Sequence, residues 1–406
     1  MRILLVNDWN RGRGGAEAYT LWIRDRLRAA GDEVALLTGG AGSAADGSAE
    51  FVAYAGERRA EQALLQIANP FAIAAVRRAV RALQPDVAWV NMFAHQLSPA
   101  AVHALGAVPF VLAVSDYKAI CPVGSKLLPD GSPCGVRAGW ACRRAGCVGL
   151  AHWLRDRPRY ALIAAAVRRA RRVLACSAWV QRALAGEGIA SEVLHLPVPR
   201  PVPSFRRAPS DDPSLLYCGR LDVEKGVALL VCAFAALAPD VPRARLRIAG
   251  AGPERAELER LARDLGVGDR VAFLGWVGPD ALDAELRSAW GLVVPSLWAE
   301  PFGLVAAEAI VRGVPVVASA DGGLGEIVEP GASGLLFPNG DERALTRRLA
   351  AIARREAFPD RVLGVGVVRT TAERFDLDRH VADLRRILAE AAQPTRVGGR
   401  GNSSFA

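Results

Sequence analysis

The chain has 406 residues, 51% hydrophobic and 23% charged, so it can bury large cores, and its length argues for two or three soluble globular domains. Its net charge of +9 is uneven: residues 1–200 carry 25 Lys and Arg against 15 Asp and Glu, residues 201–406 carry 26 against 27. No apolar run reaches the roughly 18 residues of a membrane span, the first residues form a strand-like stretch rather than a signal segment, and no motif or interleaved aromatics point to nucleic acid, which together read as a cytoplasmic protein.

Residues 2–7 form a first strand. WNRGRGGAE (Trp9–Glu17) follows as a glycine-rich loop opening an amphipathic helix that runs to about Ala30. Its G-x-G-G is not the G-x-G-x-x-G of dinucleotide folds. A phosphate could approach the backbone at Gly14 and Gly15, or these glycines simply allow a tight turn. Val34–Thr38 reads as a second strand, AGSAADGSAE as a mobile surface loop, 60–83 as one helical stretch, and Val87–Asn91 and Val108–Val114 as buried strands. Strands alternating with helices predict a parallel, doubly wound sheet, which binds ligands at the carboxyl ends of its strands. Ser115 and Asp116 stand at such an end.

Cys121, Cys134, Cys142 and Cys147 come next, among Gly and Pro. In a cytoplasmic chain such a group favours a metal site or free thiols over disulfides, but the uneven gaps and the lack of C-x-x-C weigh against a zinc knuckle. Cys176, Cys218 and Cys232 read as small core residues. Arg155, Arg157, Arg159, Arg168, Arg169, Arg171 and Arg172 make the densest cationic cluster, with 159–172 helical. It is either a surface for anionic headgroups or a pyrophosphate-bearing acceptor, or a solvated helix face. After the strand-like VLACSAW, the proline-dense stretch Leu196–Pro213 reads as a semi-rigid connector. The domains are therefore expected at 1–197 and 214–375, joined by a linker over 198–213.

A second β/α series begins with LLYCGRLDVEKG (Leu215–Gly226). It continues through a helix to Ala238, a strand at Ala244–Gly250, a helix over 254–266, a strand at Val271–Val277 and a helix from Pro279. The apolar run Leu292–Trp298 leads into EPFGLVAAE (Glu300–Glu308), which opens a helix closed by Gly313. Strands at 314–319 and 334–337 and helices over 341–355 and 376–391 follow, the last expected to pack back on the first domain, and 392–406 read as a disordered tail. The amides of Gly303 and Leu304 would sit at a helix amino terminus, where the dipole favours an anion such as phosphate. Glu300 stays on the loop and Glu308 falls just over one turn into the helix. Taken alone, the pair is a solvated loop acid and a helix-surface acid, or two carboxylates for sugar or ribose hydroxyls.

The two halves, the linker, GRLDVEKG and EPFGLVAAE together resemble glycosyltransferase family 4. That family has the α/β GT-B architecture, two Rossmann-like doubly wound parallel-sheet domains facing each other across a cleft. The resemblance covers nearly the whole chain and is strongest over 215–337 and 14–38. It implies a retaining transferase that moves a sugar from a nucleoside-diphosphate sugar to an acceptor hydroxyl, with no cofactor and no metal. Arg220 and Lys225 would then grip the donor diphosphate and offset charge on the leaving group. Glu308 would hold the ribose hydroxyls and Glu300 the donor sugar. Phe302, Gly303 and Leu304 would bring amides to sugar and phosphate, Gly250 and Val277 would line the base pocket, and Gly15 would approach from the other domain. The acceptor, a sugar, lipid-linked or phosphorylated group, would meet the basic first domain, which could also touch an anionic membrane.

The chain departs from that family in two places. Ser115 stands where many relatives carry the His of a His-Asp pair, leaving Asp116 as the catalytic partner; Ser is shorter and cannot titrate. His95, near another strand end, is either its substitute or a structural residue. LHLPVP (Leu194–Pro199) replaces the usual Asn-Gly-Val-Asp of the junction. Rival readings are a sugar-nucleotide epimerase or phosphorylase on the same fold, and a catalytically silent nucleotide-sugar or glycolipid binder.

Overall fold

A computed structural model describes residues 1–9, 15–40, 49–56, 59–199 and 205–394. Gly14, most of the AGSAADGSAE loop, connector residues 200–204 and the tail from 395 lie outside the described residues.

The first half alternates strands and helices: β1 (Arg2–Asn7), α1 (Gly15–Ala29), β2 (Glu33–Gly40), β3 (Phe51–Tyr54), α2 (Arg59–Leu65), α3 (Pro70–Leu83), β4 (Val87–Val90), α4 (Pro99–His103), β5 (Phe110–Val114), α5 (Trp140–Arg144), α6 (Leu150–Arg169), β6 (Arg172–Ala175), α7 (Ala178–Gly186) and β7 (Glu192–Val193). The strands pair in the order β3-β2-β1-β4-β5-β6-β7, all parallel. Ile3–Val6 and Val87–Val90 are unbroken apolar runs because helices cover both faces of the sheet, and every one of these side chains is buried.

The second half repeats the scheme. It runs β8 (Ser214–Cys218), α8 (Val227–Leu237), β9 (Arg245–Ala249), α9 (Arg255–Asp264), β10 (Val271–Gly275), α10 (Pro279–Ser288), β11 (Gly291–Val294), α11 (Leu304–Val311), β12 (Val316–Ser319), α12 (Leu324–Ile327), β13 (Gly334–Phe337), α13 (Glu342–Ala353), α14 (Val365–Arg374) and α15 (Leu377–Ala392). Its sheet order is β10-β9-β8-β11-β12-β13, again parallel. The switch points of both sheets lie where β1 meets β4 and β8 meets β11.

Three elements differ from expectation. The stretch 60–83 is two helices, because Asn69 caps the second one: its Oδ1 accepts from the amides of Phe71 (3.0 Å) and Ala72 (3.1 Å), and Pro70 supplies the helical φ at the first position. The arginine-rich helix starts at Leu150 and stops at Arg169, with Arg172 already in β6. Two short strands, β3 and β7, close the edges of the first sheet.

After β13 the chain recrosses to the first domain. Val198 N donates to Phe375 O (2.8 Å), and α15 packs on α1, β4 and β5. There Arg385 Nε pairs with the buried Asp32 (2.8 Å), which also accepts from the Met1 amine (2.8 Å), and Tyr19 Oη meets His380 Nε2 at 2.9 Å. Phe302 and Phe375 stack edge to face at 5.5 Å, so one apolar cluster runs through both domains.

Candidate functional site

Residues 295–303 link β11 to α11 at the carboxyl end of the second sheet, and Glu300 sits in their middle. Lys225 Nζ donates to both carboxylate oxygens at 2.8 Å, while Ser296 Oγ and Trp298 Nε1 each donate to Oε2 at 2.9 Å. The ammonium also lies 4.9 Å from the Trp298 ring centroid. Burial pushes the Glu300 carboxyl up, but the Lys225 charge and these donors outweigh it and hold it below its ordinary value.

Glycines let this happen. The 3-10 turn Val223–Lys225 ends at Gly226 (φ +67°), where a Cβ would stand 2.0 Å from Pro295 O, so the turn presses directly on the loop and aims Lys225 at Glu300. On the other side Glu300 bridges Gly322, and Gly323 N donates to Glu300 O at 2.7 Å. Asn339 Nδ2 lies 3.2–3.3 Å from the carbonyls of Ser296, Leu297 and Trp298. The first domain grips the same loop: Tyr117 Oη donates to Ala299 O (2.8 Å) and Ser177 Oγ to Pro301 O (2.6 Å), one on each side of Glu300.

Gly303, at φ +101°, starts α11. A Cβ on Gly15, the first residue of α1, would fall 3.0 Å from Leu304 Cδ2, so the amino termini of the two helices meet across the cleft. Phe302 is buried beneath them. Glu308 lies next along α11. Burial pushes its carboxyl up to about 7, because Arg312 gives its Nε to Asp283 (2.6 Å) and only an Nη1 to the Glu308 carbonyl (3.1 Å). Among the described residues no hydrogen bond reaches that carboxylate. Arg220 stands at the mouth, its side chain 62% exposed, paired with Asp222 and Glu224. Gly250 N donates to Gly275 O (2.7 Å), and a Cβ there would lie 1.9 Å from Gly219 O; Val277, partly buried, follows β10. The ends of β8, β9 and β10 therefore converge beside Arg220.

On the facing domain the buried Asp8 accepts from the amides of His95 (2.8 Å), Gln96 (2.8 Å) and Leu97 (2.9 Å), fixing the loop after β4. His95 and Asp116 are thereby brought to one cavity with Asp8, Asn91 and Lys118. Burial raises the Asp116 carboxyl, opposed by its bond from the Lys118 amide and the charges of His95 and Lys118; burial also lowers His95, opposed by the acids. Ser115 Oγ donates to Asn91 Oδ1 (3.1 Å), Asn91 Nδ2 to Asn7 Oδ1 (3.1 Å) and Asn7 Nδ2 to Trp9 O (2.7 Å), tying β5, β4 and β1 together at their carboxyl ends. Asp8, Tyr117, Ser177, Ser296, Trp298 and Asn339 escape a reading of the sequence. Only Asp8 carries a signal there, its place at the end of the first strand.

The seven cysteines are free thiols, and among the described residues no group of three or more His, Cys, Asp or Glu is arranged to hold a metal ion, so Cys121, Cys134, Cys142 and Cys147 do not form a zinc site in this structure. Nor is the arginine cluster one surface. Arg159 is buried with Nη2 on Ala94 O (2.5 Å), Arg169 lies over Phe110 (5.1 Å), and Arg172 pairs with Glu192 and Glu390 (2.9 Å each). Among the described residues no helix is long and apolar enough to cross a membrane.

Residues 14–199 match the family described as Glycosyl transferase 4-like domain, and residues 203–362 that described as Glycosyl transferases group 1. The chain is 37% identical over 169 residues to a D-inositol 3-phosphate glycosyltransferase of Nocardioides sp., covering 38% of this chain and 37% of that protein, well under two thirds of its length. Two solved structures superpose over nearly their full length. Sucrose-phosphate synthase from Thermosynechococcus elongatus does so at a TM-score of 0.74 and 23% identity, covering 96% of this chain and 98% of that one. Anabaena Alr3699/HepE, in complex with UDP and glucose, does so at 0.69 and 20%, covering 96% and 99%. Identities this low speak for the fold alone, which is GT-B. With both halves matched in order, the chain belongs to the group 1 glycosyltransferases, with a glycosyl transferase 4-like first domain.

Proposed function

We propose that the chain is a retaining glycosyltransferase, moving a sugar from a nucleoside-diphosphate sugar to an acceptor hydroxyl in glycan, polysaccharide or glycolipid synthesis. The observation that carries this is the pairing of Lys225 with Glu300 at the amino terminus of α11, with Arg220 beside it and, one turn on, the Glu308 carboxylate, to which no hydrogen bond runs among the described residues. The UDP and glucose in the Anabaena structure support a nucleoside-diphosphate donor. Here the diphosphate would draw Lys225 from Glu300 and Arg220 from its two acids. Glu300, still held by Ser296 and Trp298, would face the sugar, and Glu308 would take the ribose hydroxyls. The bond from the anomeric carbon to the diphosphate oxygen breaks as the acceptor oxygen bonds on the same face, and the acceptor proton passes to the leaving phosphate. Arg220 and Lys225 offset the charge that develops there, without a metal. Asp116 and His95 lie on the acceptor side, where a sugar, lipid-linked or phosphorylated acceptor would enter.

The test separates chemistry from folding. Lys225→Ala leaves a largely buried carboxylate without its cation, which costs about 3–5 kcal/mol, so it weakens the fold as well as the chemistry. The charge-balanced Lys225→Gln/Glu300→Gln pair is expected to recover melting temperature yet lose at least about 100-fold in turnover. Wild-type turnover is expected to survive a chelator. Full turnover in the balanced pair, measured by product formation from nucleotide sugars, would sink the reading. The rival is a nucleotide-sugar binder without turnover, favoured by Ser115, whose hydroxyl is engaged by Asn91; donor-induced stabilisation with no product from any acceptor would support it.

A further inference from the structure

The connection from β5 to β6 leaves the first sheet at the cleft, at Ser115 and Asp116, and returns along α6. From Tyr117 to Arg155 it carries six Lys and Arg and a single acid, Asp130. On α5 and the first turns of α6 large apolar side chains face solvent, while Ile163 and Ala166 further along α6 are buried. Trp140 on α5 is 52% exposed, and Leu150 and Leu154, one turn apart on one face of α6, are 48% and 52% exposed. Trp153 ties them together: its ring meets Trp140 edge to face at 5.0 Å, and its Nε1 donates to Gly139 O at 3.3 Å. Arg157, a turn further on, lies over the same ring at 5.1 Å. Arg144 and Arg157 are exposed beside this apolar group.

Isolated exposed apolar residues are ordinary, but a contiguous group on adjacent helices marks a contact surface. Indoles with one polar edge, leucines and long arginine stems together suit the boundary between headgroups and acyl chains. We infer that this face docks on an anionic lipid bilayer, with Trp140, Leu150 and Leu154 at the headgroup boundary and Arg144 and Arg157 against lipid phosphates. The near absence of acids over Tyr117–Arg155 selects an anionic surface over a neutral apolar partner. Because the same connection starts at Ser115–Asp116, docking would set the acceptor side of the cleft beside the bilayer and suit a lipid-linked acceptor. That second step rests on the transferase reading; the docking does not.

The full chain is sedimented with phosphatidylglycerol–phosphatidylcholine vesicles and with phosphatidylcholine alone, at low and high salt. Binding is expected to anionic vesicles only, to weaken with salt, and to fall about tenfold or more in Leu154→Glu. The variant is expected to keep the wild-type melting temperature and its stabilisation by nucleoside diphosphate; Trp140→Ala serves in its place if it does not. Wild-type protein left in the supernatant, or Leu154→Glu binding as wild type, overturns the inference. So does a dimer in velocity sedimentation that Leu154→Glu dissociates, which would make the face a self-contact. Failure of any nucleotide sugar to stabilise the chain, with vesicle binding intact, would count against the transferase reading alone.

Discussion

Glu308 and Glu300 sit eight positions apart and titrate in opposite directions. Glu300 has Lys225, Ser296 and Trp298 around it; Glu308, among the described residues, has the flank of the Arg312–Asp283 pair. A carboxyl raised in the folded state binds a proton that the unfolded chain has released, so stability falls as pH rises from the ordinary carboxyl value of 4.5 to about 7, then levels off. Glu308→Gln is expected to remove that slope and to raise the ligand-free melting temperature at pH 8, while abolishing stabilisation by donor. Thermal melts across pH with and without nucleotide sugar read both effects. In the wild type, donor binding is expected to strengthen as pH rises through about 7, since ionised Glu308 is the better acceptor for hydroxyls.

At the level of elements, close approach of backbones decides where the reactive side chains point. Gly226 and Gly331 both have positive φ, 67° and 79°, but a Cβ on Gly226 would strike Pro295 O while nothing lies within 4 Å of one on Gly331. Gly331→Ala is expected to cost about 1–2 kcal/mol of backbone strain and leave turnover alone. Gly226→Ala is expected to cost more, and to lower turnover at least about tenfold by moving Lys225 away from where the diphosphate would bind; denaturant melts and initial rates on both variants check this. This contrast also shows what was legible beforehand. The strands were, because runs such as Ile3–Val6 and Val87–Val90 carry apolar residues on both faces. Glu300 and Glu308 stand out by their place at the opening of a helix but are ambiguous alone, and Arg220 and Lys225 are marked only by the family resemblance. The cradle around Glu300 is not legible, because Asn339, Tyr117 and Ser177 reach it only through the fold. The Asn69-Pro70 pair is a turn signal legible in the sequence, although 60–83 reads as one helical stretch.

For the whole molecule, polar contacts at the crossing add to the shared apolar cluster in setting the domain arrangement. Glu326 accepts from the first amides of α7, Ala178 (3.0 Å) and Trp179 (2.7 Å), and meets His195 Nε2 at 3.4 Å, while His380 Nδ1 meets His195 O at 2.8 Å. Burial raises the Glu326 carboxyl, but these donors outweigh it and hold it below its ordinary value, so its contribution is full at neutral pH and is lost as pH falls through the lowered value. Glu326→Ala is expected to cost about 1–2 kcal/mol, as a lost helix cap does, and to broaden the distance distribution in small-angle scattering. An unchanged distribution would show that Tyr117 and Ser177 suffice to set the domain angle. The return of α15 to the first domain has a consequence for biosynthesis. Asp32, Tyr19 and the outer faces of β4 and β5 wait for partners beyond residue 376, so the domain begun first is completed last. At about 5–20 residues per second, the nascent first domain carries an unsealed apolar flank for roughly 10–40 s while the second is made, an interval in which a ribosome-associated chaperone would have its substrate.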